Sequence, residues 1–243
     1  VADGEMTDKQ RDRLLVEMTD EVGELVLRDN YLQTQALSVL ESRAPALLEP
    51  HARYMRNLER ADQLNREVEY LPNDEVVEER LAEGEGLTRP ELSVLLSYAK
   101  MELYEKLLES DLANSKGLEP DLVKYFPRPL RRGHKGAILQ HRLRREIIAT
   151  ITANSIVNLL GITFVHDVMA ETGASIEAVA RCYSAARDLF GMRALWSEIE
   201  TLDNKVSTTV QTGIALKTAE FLRRMTLWFL QNVEQPLKIN STV

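Results

Sequence analysis

A cluster of positive charge at residues 128–145, called the basic block below, has the residue types best suited to chemistry in this sequence. Seven cations and two histidines lie among its 18 residues: Arg128, Arg131, Arg132, His134, Lys135, His141, Arg142, Arg144 and Arg145. Guanidinium groups bind carboxylates and phosphates through two parallel hydrogen bonds. The basic block therefore predicts anion recognition. Its target is a phosphorylated ligand, an acidic partner surface, or the acidic first half of this chain.

The overall charge argues against a nucleic-acid partner. The chain has 243 residues and a formal net charge of −8. Residues 1–120 carry a balance of −13 and residues 121–243 one of +5, so the two halves can attract each other. General nucleic-acid binding is expected of a basic protein. The basic block also lacks the aromatic side chains that stack on unpaired bases. Salt bridges within the chain are therefore the first expectation for the basic block.

Sequence signatures of common catalytic sites are missing. The segment His134-Lys135-Gly136 has neither the spacing nor the hydroxyl residue of a phosphate-binding loop. Gly84-Glu85-Gly86 lacks the third glycine of a dinucleotide fingerprint and follows a predicted helix. No nucleophile elbow or zinc-helix motif occurs. The sequence thus predicts no catalytic, cofactor-binding or metal-ligating residue in this chain.

The histidines outside the basic block and the single cysteine favour structural roles. His51 follows Pro50, and we expect it at an exposed helix start. His166 follows a long uncharged run, and we expect it to be a hydrogen-bond donor at a helix end. Cys182 is alone, which excludes an internal disulfide. It lies among small and apolar residues, so a buried, inert thiol is predicted.

The elements that position these residues are helices. A run of 19 residues, Ile147–Val165, carries no charge but contains several hydroxyl and amide side chains. A transmembrane helix is disfavoured, because asparagine near the bilayer centre is expensive and Gly161 is expected to end the helix. We predict a central helix buried on most sides. Asn154 and Asn158 lie on one face of it and are expected to form a buried polar core by bonding to a neighbouring helix.

Apolar periodicity of about 3.6 residues recurs along the whole chain, whereas strand alternation is almost absent. The first predicted helix starts at Thr7 or Asp8 and carries one apolar stripe: Leu14, Leu15, Met18, Val22, Leu25 and Val26. A second stripe runs from about Ala46 to Val68, and a short helix is predicted between Asn73 and Gly84. Another helix starts at the Thr88–Glu91 capping box. A long helix is predicted to follow an extended turn at 127–129 and to end at about Leu160. The predicted fold class is all-α, an irregular multi-helix bundle with a buried central helix.

Several long strings resemble the C-terminal helical region of the large bacterial NAD-specific glutamate dehydrogenases. They are DNYLQTQALSVLESRAP, LTRPELSVLLSYAKMELYEKLLESDL, YFPRPLR and LQHRLRREIIATITANSIVNLLGITFV. The resemblance covers nearly the entire chain. It implies a parent enzyme that oxidises L-glutamate to 2-oxoglutarate and ammonia with NAD as the hydride acceptor. It also implies that the catalytic and NAD-binding residues lie upstream, so none is carried over to this chain.

The resemblance suggests an organisation and a role. Residues 1–30 are expected to be an exit segment after a missing catalytic domain, and residues 31–243 a C-terminal helical domain with a possible sub-boundary near 114–117. The chain lacks an initiator methionine and is expected to be a piece of a longer cytoplasmic protein. We expect its partners to be the catalytic domain of the same polypeptide and other copies in a homo-oligomer, with no membrane or nucleic acid. Its role is structural, oligomeric or regulatory; alternatively, a free-standing helical protein binds a phosphorylated or anionic ligand through the basic block.

Overall fold

The computed structural model describes residues 6–237 and 239 and is all-α over that part of the chain. Twelve α-helices follow one another, with 3₁₀ turns at Asp111–Asn114 and Lys116–Leu118. Their bounds are α1 Asp8–Glu41, α2 Ala44–Arg60, α3 Asp74–Glu83, α4 Arg89–Glu109, α5 Glu119–Tyr125, α6 Arg128–Gly133, α7 Lys135–Leu139, α8 Arg144–Leu160, α9 Phe164–Thr172, α10 Ile176–Leu189, α11 Met192–Glu200 and α12 Thr208–Asn232. The predicted all-α fold class is confirmed.

Several helix ends follow from capping chemistry in the sequence. Thr7 caps α1 in a reciprocal capping box. The backbone N–H of Thr88 donates to Glu91 Oε2 at 2.7 Å, which satisfies a free donor at the start of α4. Asn73 accepts from the backbone N–H of the third residue of α3, and Gly84 ends that helix in the left-handed region with φ of 71°. The predicted starts of α1, α3 and α4 are confirmed.

The core forms around α4 and α8, which pack against each other along the centre of the bundle. The buried side of α4 carries the apolar residues predicted for it: Leu92, Leu95, Leu96, Ala99, Leu103 and Leu107. The buried side of α8 comes from the uncharged run: Ile148, Ala149, Thr152, Ala153, Ile156 and Val157. α10 and α12 form a second close pair beside them. The predicted buried central helix is therefore α8.

The segment before α8 differs from the prediction of one long helix ending near Leu160. The chain forms three helices there, α6, α7 and α8. Gly133 and Gly136 lie at the junction of α6 and α7, where a glycine adds backbone freedom and no packed side chain. Of the extended turn predicted at 127–129, only Pro127 is extended, with ψ of 152°, because Pro129 occupies the first turn of α6, where its missing N–H costs nothing.

The second apolar stripe also ends earlier than predicted. α2 stops at Arg60, and Asp62 adopts a left-handed conformation with φ of 56°. Val68, the predicted end of the stripe, is 67% exposed. The possible sub-boundary near residues 114–117 stays a prediction. Leu112 and Leu118, on either side of it, are buried in the same hydrophobic core.

No single helix in the described part of the chain is long and apolar enough to span a membrane. α8 and α9 together meet the criteria of length and composition, but they are bent by 87° at the break between them. Gly161 ends α8 with φ of 94°, a backbone conformation that favours glycine, so the predicted break is confirmed.

Candidate functional site

The basic block lies beside the N-terminal half of α1 and holds it by hydrogen bonds. The guanidinium Nη2 of Arg131 donates to Glu21 Oε1 at 2.8 Å, and the backbone N–H of Arg128 donates to Glu21 Oε2 at 2.8 Å. The side chains of Arg131 and Glu21 are 27% and 19% exposed, so solvent screens this ion pair only partly. Both partners of the contact lie far apart in sequence, and α6 presents the arginine that meets α1.

Two further arginines of the basic block bind the first half of the chain. Arg145 Nη2 donates to the backbone carbonyl of Leu108 at 2.6 Å. Arg144 Nη2 lies 4.0 Å from Glu119 Oε1. Together with Arg131, these contacts are of the kind expected if the acidic first half is the target of the block.

The remaining residues of the basic block are not gathered into one site. Arg132, Lys135 and Arg142 are exposed, and none forms a salt bridge within residues 6–237 and 239. His134 is half-buried between α6 and α7. The His141 ring packs edge-on against Phe126, with ring centroids 5.5 Å apart. Its Nδ1 accepts from the backbone N–H of residue 143 at 3.2 Å.

The two asparagines of α8 are less buried than predicted. Asn154 and Asn158 are both half-buried, and Thr152 is the polar side chain of α8 that is fully buried. Asn158 Oδ1 is buried and has no hydrogen-bond partner in the described part of the chain, so it forms no bond to a neighbouring helix. Asn158 lines a small cavity of about 70 Å³ between α1, α2 and the end of α8, together with His51.

His51 occupies a different environment from the exposed helix start that the sequence predicted. It lies inside α2 and is 1% exposed, because that helix begins at Ala44 rather than near Pro50. Its Nδ1 has no partner among the described residues. Burial lowers the pKa of His51 to about 4, since a charged imidazole loses its hydration there.

His166 lies in the first turn of α9 and joins three helices. Its Nε2 is 3.0 Å from Glu102 Oε2, and the hydroxyl of Tyr54 donates to the same oxygen at 2.7 Å. Burial alone would raise the pKa of Glu102, but the contacts with His166 and Tyr54 hold it below its ordinary value. This polar group on α2, α4 and α9 was missed by sequence reasoning, because its outermost members, at positions 54 and 166, are 112 positions apart.

A buried ionic network links α5, α10 and α11. Arg187 is 1% exposed; its Nη2 donates to Asp121 Oδ2 at 2.7 Å and its Nε to Asp188 Oδ1 at 2.9 Å. Arg193 also contacts both carboxylates. Burial would lower the pKa of Arg187, but the neighbouring charge of Asp121 and the bond to Asp188 raise it. The charged groups of the network pair with one another, which favours a structural role.

The cysteine, a polar groove and the possible metal ligands in the described part of the chain do not form a reactive site. Cys182 is buried, and burial raises the pKa of its thiol to about 11, as expected for an unreactive cysteine. A polar groove of about 160 Å³ lies between α1 and α12 and is lined by Tyr31, Gln35 and Gln211. Within residues 6–237 and 239, no group of three or more His, Cys, Asp or Glu side chains is arranged to hold a metal ion.

The N-terminal half of α1 is apolar on two faces, although the sequence predicted a single stripe. One face is half-buried against the bundle and carries Leu14, Met18 and Leu25. The other, called the α1 face below, is exposed to solvent and consists of Leu15, Val16, Thr19, Val22, Gly23, Val26 and Leu27. These seven positions recur at helical spacing and include no charged residue. Val16 is 76% and Leu27 70% exposed, so the α1 face is the strongest candidate for a contact outside this chain.

Comparisons with known proteins match two family models to separate parts of the chain. The family model described as "Glutamate dehydrogenase, C-terminal" matches residues 84–243. The model described as "Bacterial NAD-glutamate dehydrogenase, catalytic domain" matches residues 1–40. The second match ends one residue before the end of α1.

Three curated relatives match almost the whole chain. The chain is 45% identical over 231 residues to an NAD-specific glutamate dehydrogenase of Halomonas elongata, which covers 95% of the chain. It is 44% identical over 229 residues, 94% of the chain, to one of Pseudomonas aeruginosa. It is 32% identical over its full 243 residues to one of Mycobacterium tuberculosis. The chain spans only 14% of the length of the first two relatives and 15% of the third.

Proposed function

This chain belongs to the glutamate dehydrogenase C-terminal family, and from that premise we propose that it is the non-catalytic helical module of a large NAD-dependent glutamate dehydrogenase. The parent polypeptide oxidises L-glutamate to 2-oxoglutarate and ammonia. NAD binds in the parent's catalytic part rather than in this chain. The module packs on that catalytic part and keeps it in a competent arrangement.

The position of α1, which belongs to both parts of the polypeptide, is the observation that supports this proposal most strongly. By sequence, residues 1–40 match the catalytic-domain family, whereas Ala36 and Leu40 are buried in the bundle at 4% and 5% exposure. A helix that continues the catalytic part therefore ends inside the packed helices of the C-terminal part. Because α1 is one unbroken helix of 34 residues, movement at its N-terminal half is coupled to the bundle.

Two ion pairs support the proposal by fastening α1 to the bundle at separate points. Glu21 binds Arg131 of α6, and Arg28 forms two bonds to Glu200 of α11, at 2.9 and 3.0 Å. The hydrogen bond to Glu200 raises the pKa of Arg28. With these contacts, two other helices of the module, α6 and α11, hold α1 in its direction.

The proposal extends to location and assembly. We place the parent enzyme in the cytoplasm as a homo-oligomer, with no membrane or nucleic-acid partner for this module. The net charge of −8 and the internal use of Arg131, Arg144 and Arg145 support that choice of partners. The alternative is a site for a phosphorylated or anionic ligand on the basic block, and it would use Arg132, Lys135 and Arg142, which form no salt bridge with any residue that the structure describes.

A first experiment tests the absence of catalysis in this chain. The purified chain is mixed with L-glutamate and NAD and followed at the absorbance of NADH, with the intact parent polypeptide as the positive control. The proposal predicts NADH from the parent and none from the chain alone. Glutamate-dependent NADH production by the chain alone would refute it.

A second experiment separates the structural role of the basic block from ligand binding. Arg131→Ala in the parent removes the bond to Glu21 and should speed proteolytic cleavage around α1, at a cost of about 1 kcal/mol in stability. Arg132→Ala, one position away and without an ion pair in the described part of the chain, is the matched control and should behave like the unsubstituted enzyme. If Arg132→Ala instead abolished phosphate binding, and Arg131→Ala changed neither proteolytic cleavage nor stability, the result would favour the ligand site.

A further inference from the structure

The α1 face is exposed in the part of the chain that the structure describes. Leu15, Val16 and Leu27 are 53%, 76% and 70% exposed, and Val22 and Val26 are 43% and 55% exposed. Scattered exposed apolar residues are normal on a protein surface. Here they are contiguous, since positions 15, 19, 22 and 26 alternate by four and three residues, the spacing of a helix that packs against another.

The adjoining side of α1 shows that this exposure is not the ordinary outer face of an amphipathic helix. Leu14, Met18 and Leu25 already supply the side that packs on the bundle. A helix that is apolar around more than half of its circumference is typical of one buried between two bodies. The bundle is one of these bodies, and the second contacts the α1 face.

Gly23 and the charges around the α1 face indicate the shape and chemistry of that second body. Gly23 is in the middle of α1, where a glycine costs about 1 kcal/mol relative to alanine, and no group of another described residue outside that helix turn lies within 4 Å of where its side chain would be. A glycine there lets another backbone approach closely. Asp20 and Asp29 are exposed beside the face, so a partner with basic side chains around an apolar centre fits it.

We propose that the α1 face is the docking surface for the upstream catalytic part of the same polypeptide, through an apolar element that crosses α1 at Gly23. This inference rests on the proposed function. The catalytic-domain family match runs through all seven positions of the face, because it covers residues 1–40. The relatives are about seven times as long as this chain, so they contain ample sequence to supply the element.

Cysteine accessibility in the intact parent polypeptide tests the inference. Val16→Cys places a thiol on the α1 face, and Glu17→Cys places one at the next position, which points away from the face and is exposed. Both variants are treated with a maleimide, and labelling is followed by peptide mass spectrometry. The inference predicts that Val16→Cys reacts about tenfold or more slowly than Glu17→Cys, because its thiol is reached only after local opening. Cys182 is buried and contributes little labelling.

Controls distinguish the possible occupants and the possible failures. Glutamate-dependent activity confirms that each variant is folded. Protection of Val16→Cys should persist when the enzyme is diluted to its smallest assembly; protection lost on dilution would show that a second copy covers the face and would overturn the inference. Equal labelling of the two thiols in an active enzyme would also overturn the inference. In that case the proposed function would still stand, provided that the chain alone produces no NADH. Activity of the chain alone would instead refute the proposed function.

Discussion

Mild acid should destabilise this chain through one buried histidine. His51 is 1% exposed inside α2, and its Nδ1 has no hydrogen-bond partner in the described part of the chain. The negative charge of Asp167 offsets only part of the lost hydration of a charged imidazole. The folded chain therefore holds His51 neutral under conditions in which an unfolded chain would protonate it.

The magnitude follows from the difference between the two pKa values. In the folded chain burial lowers the pKa of His51 to about 4, against about 6.5 in an unfolded chain. Between these values the unfolded state binds more protons than the folded state, so the free energy of unfolding falls as the pH falls. At about pH 5 the loss relative to about pH 7 comes to roughly 2 kcal/mol, and it grows until the pH reaches the folded pKa.

Urea unfolding at several pH values measures this loss. The free energy of unfolding is determined from about pH 7 to about pH 5 for the unsubstituted chain and for His51→Gln, which cannot take up a proton. The variant should lack most of the roughly 2 kcal/mol decrease, whatever its absolute stability. Carboxylates contribute little in this window because they titrate at lower pH.

Two results would refute this reasoning. One is the same pH dependence in both proteins. The other is an NMR titration in which the ring protons of His51 report a pKa near 6.5, since the buried imidazole would then be as easily protonated as an unfolded one.

Two other predictions concern stability. Asp121→Asn leaves Arg187 buried with only Asp188 as a full charge partner, and should cost about 3 kcal/mol in urea unfolding; the exposed Asp20→Asn should change stability by less than about 0.5 kcal/mol, and equal effects would contradict a structural network. Gly86→Ala should lower the melting temperature, because an added Cβ would overlap the backbone of Ala44. Gly213→Ala, in the open interior of α12, should raise stability by about 0.5–1 kcal/mol, and a stabilising Gly86→Ala would show that the overlap is relieved.

Features that depend on a few adjacent residues were predictable from the sequence. The caps at Thr7 and Asn73 and the left-handed Gly84 are local, since each satisfies backbone groups within one turn of itself. The break at Gly161 and the buried side of α4 also follow from local pattern. The split of the segment before α8 was missed, because helical periodicity continues across Gly133 while the chain turns.

Features that depend on tertiary contacts were not predictable. Arg187 lies 66 positions from Asp121, and Glu102 lies 64 positions from His166. A single sequence carries no sign that such residues meet. The sequence did indicate that the basic block would pair with the acidic half, but charge balance could not select Glu21 as the partner of Arg131.

The α1 face illustrates a different limit. The sequence predicted one apolar stripe that included Leu14, Leu15 and Val22, because hydrophobic periodicity does not say which body each side contacts. Only the packed bundle separates the half-buried Leu14 from the exposed Leu15 and Val22. The division of α1 into two apolar faces therefore depends on tertiary packing and cannot be read from the sequence alone.

The central claim is that this chain is a module of a much larger glutamate dehydrogenase, and sizing the native polypeptide tests it most directly. An antibody raised against the chain is used to detect it in fractions of the source extract, and each fraction is assayed for glutamate-dependent NADH formation. We predict a polypeptide about seven times the length of this chain that elutes with the activity, as the relatives' lengths imply. A band at 27.6 kDa in fractions without that activity would contradict it.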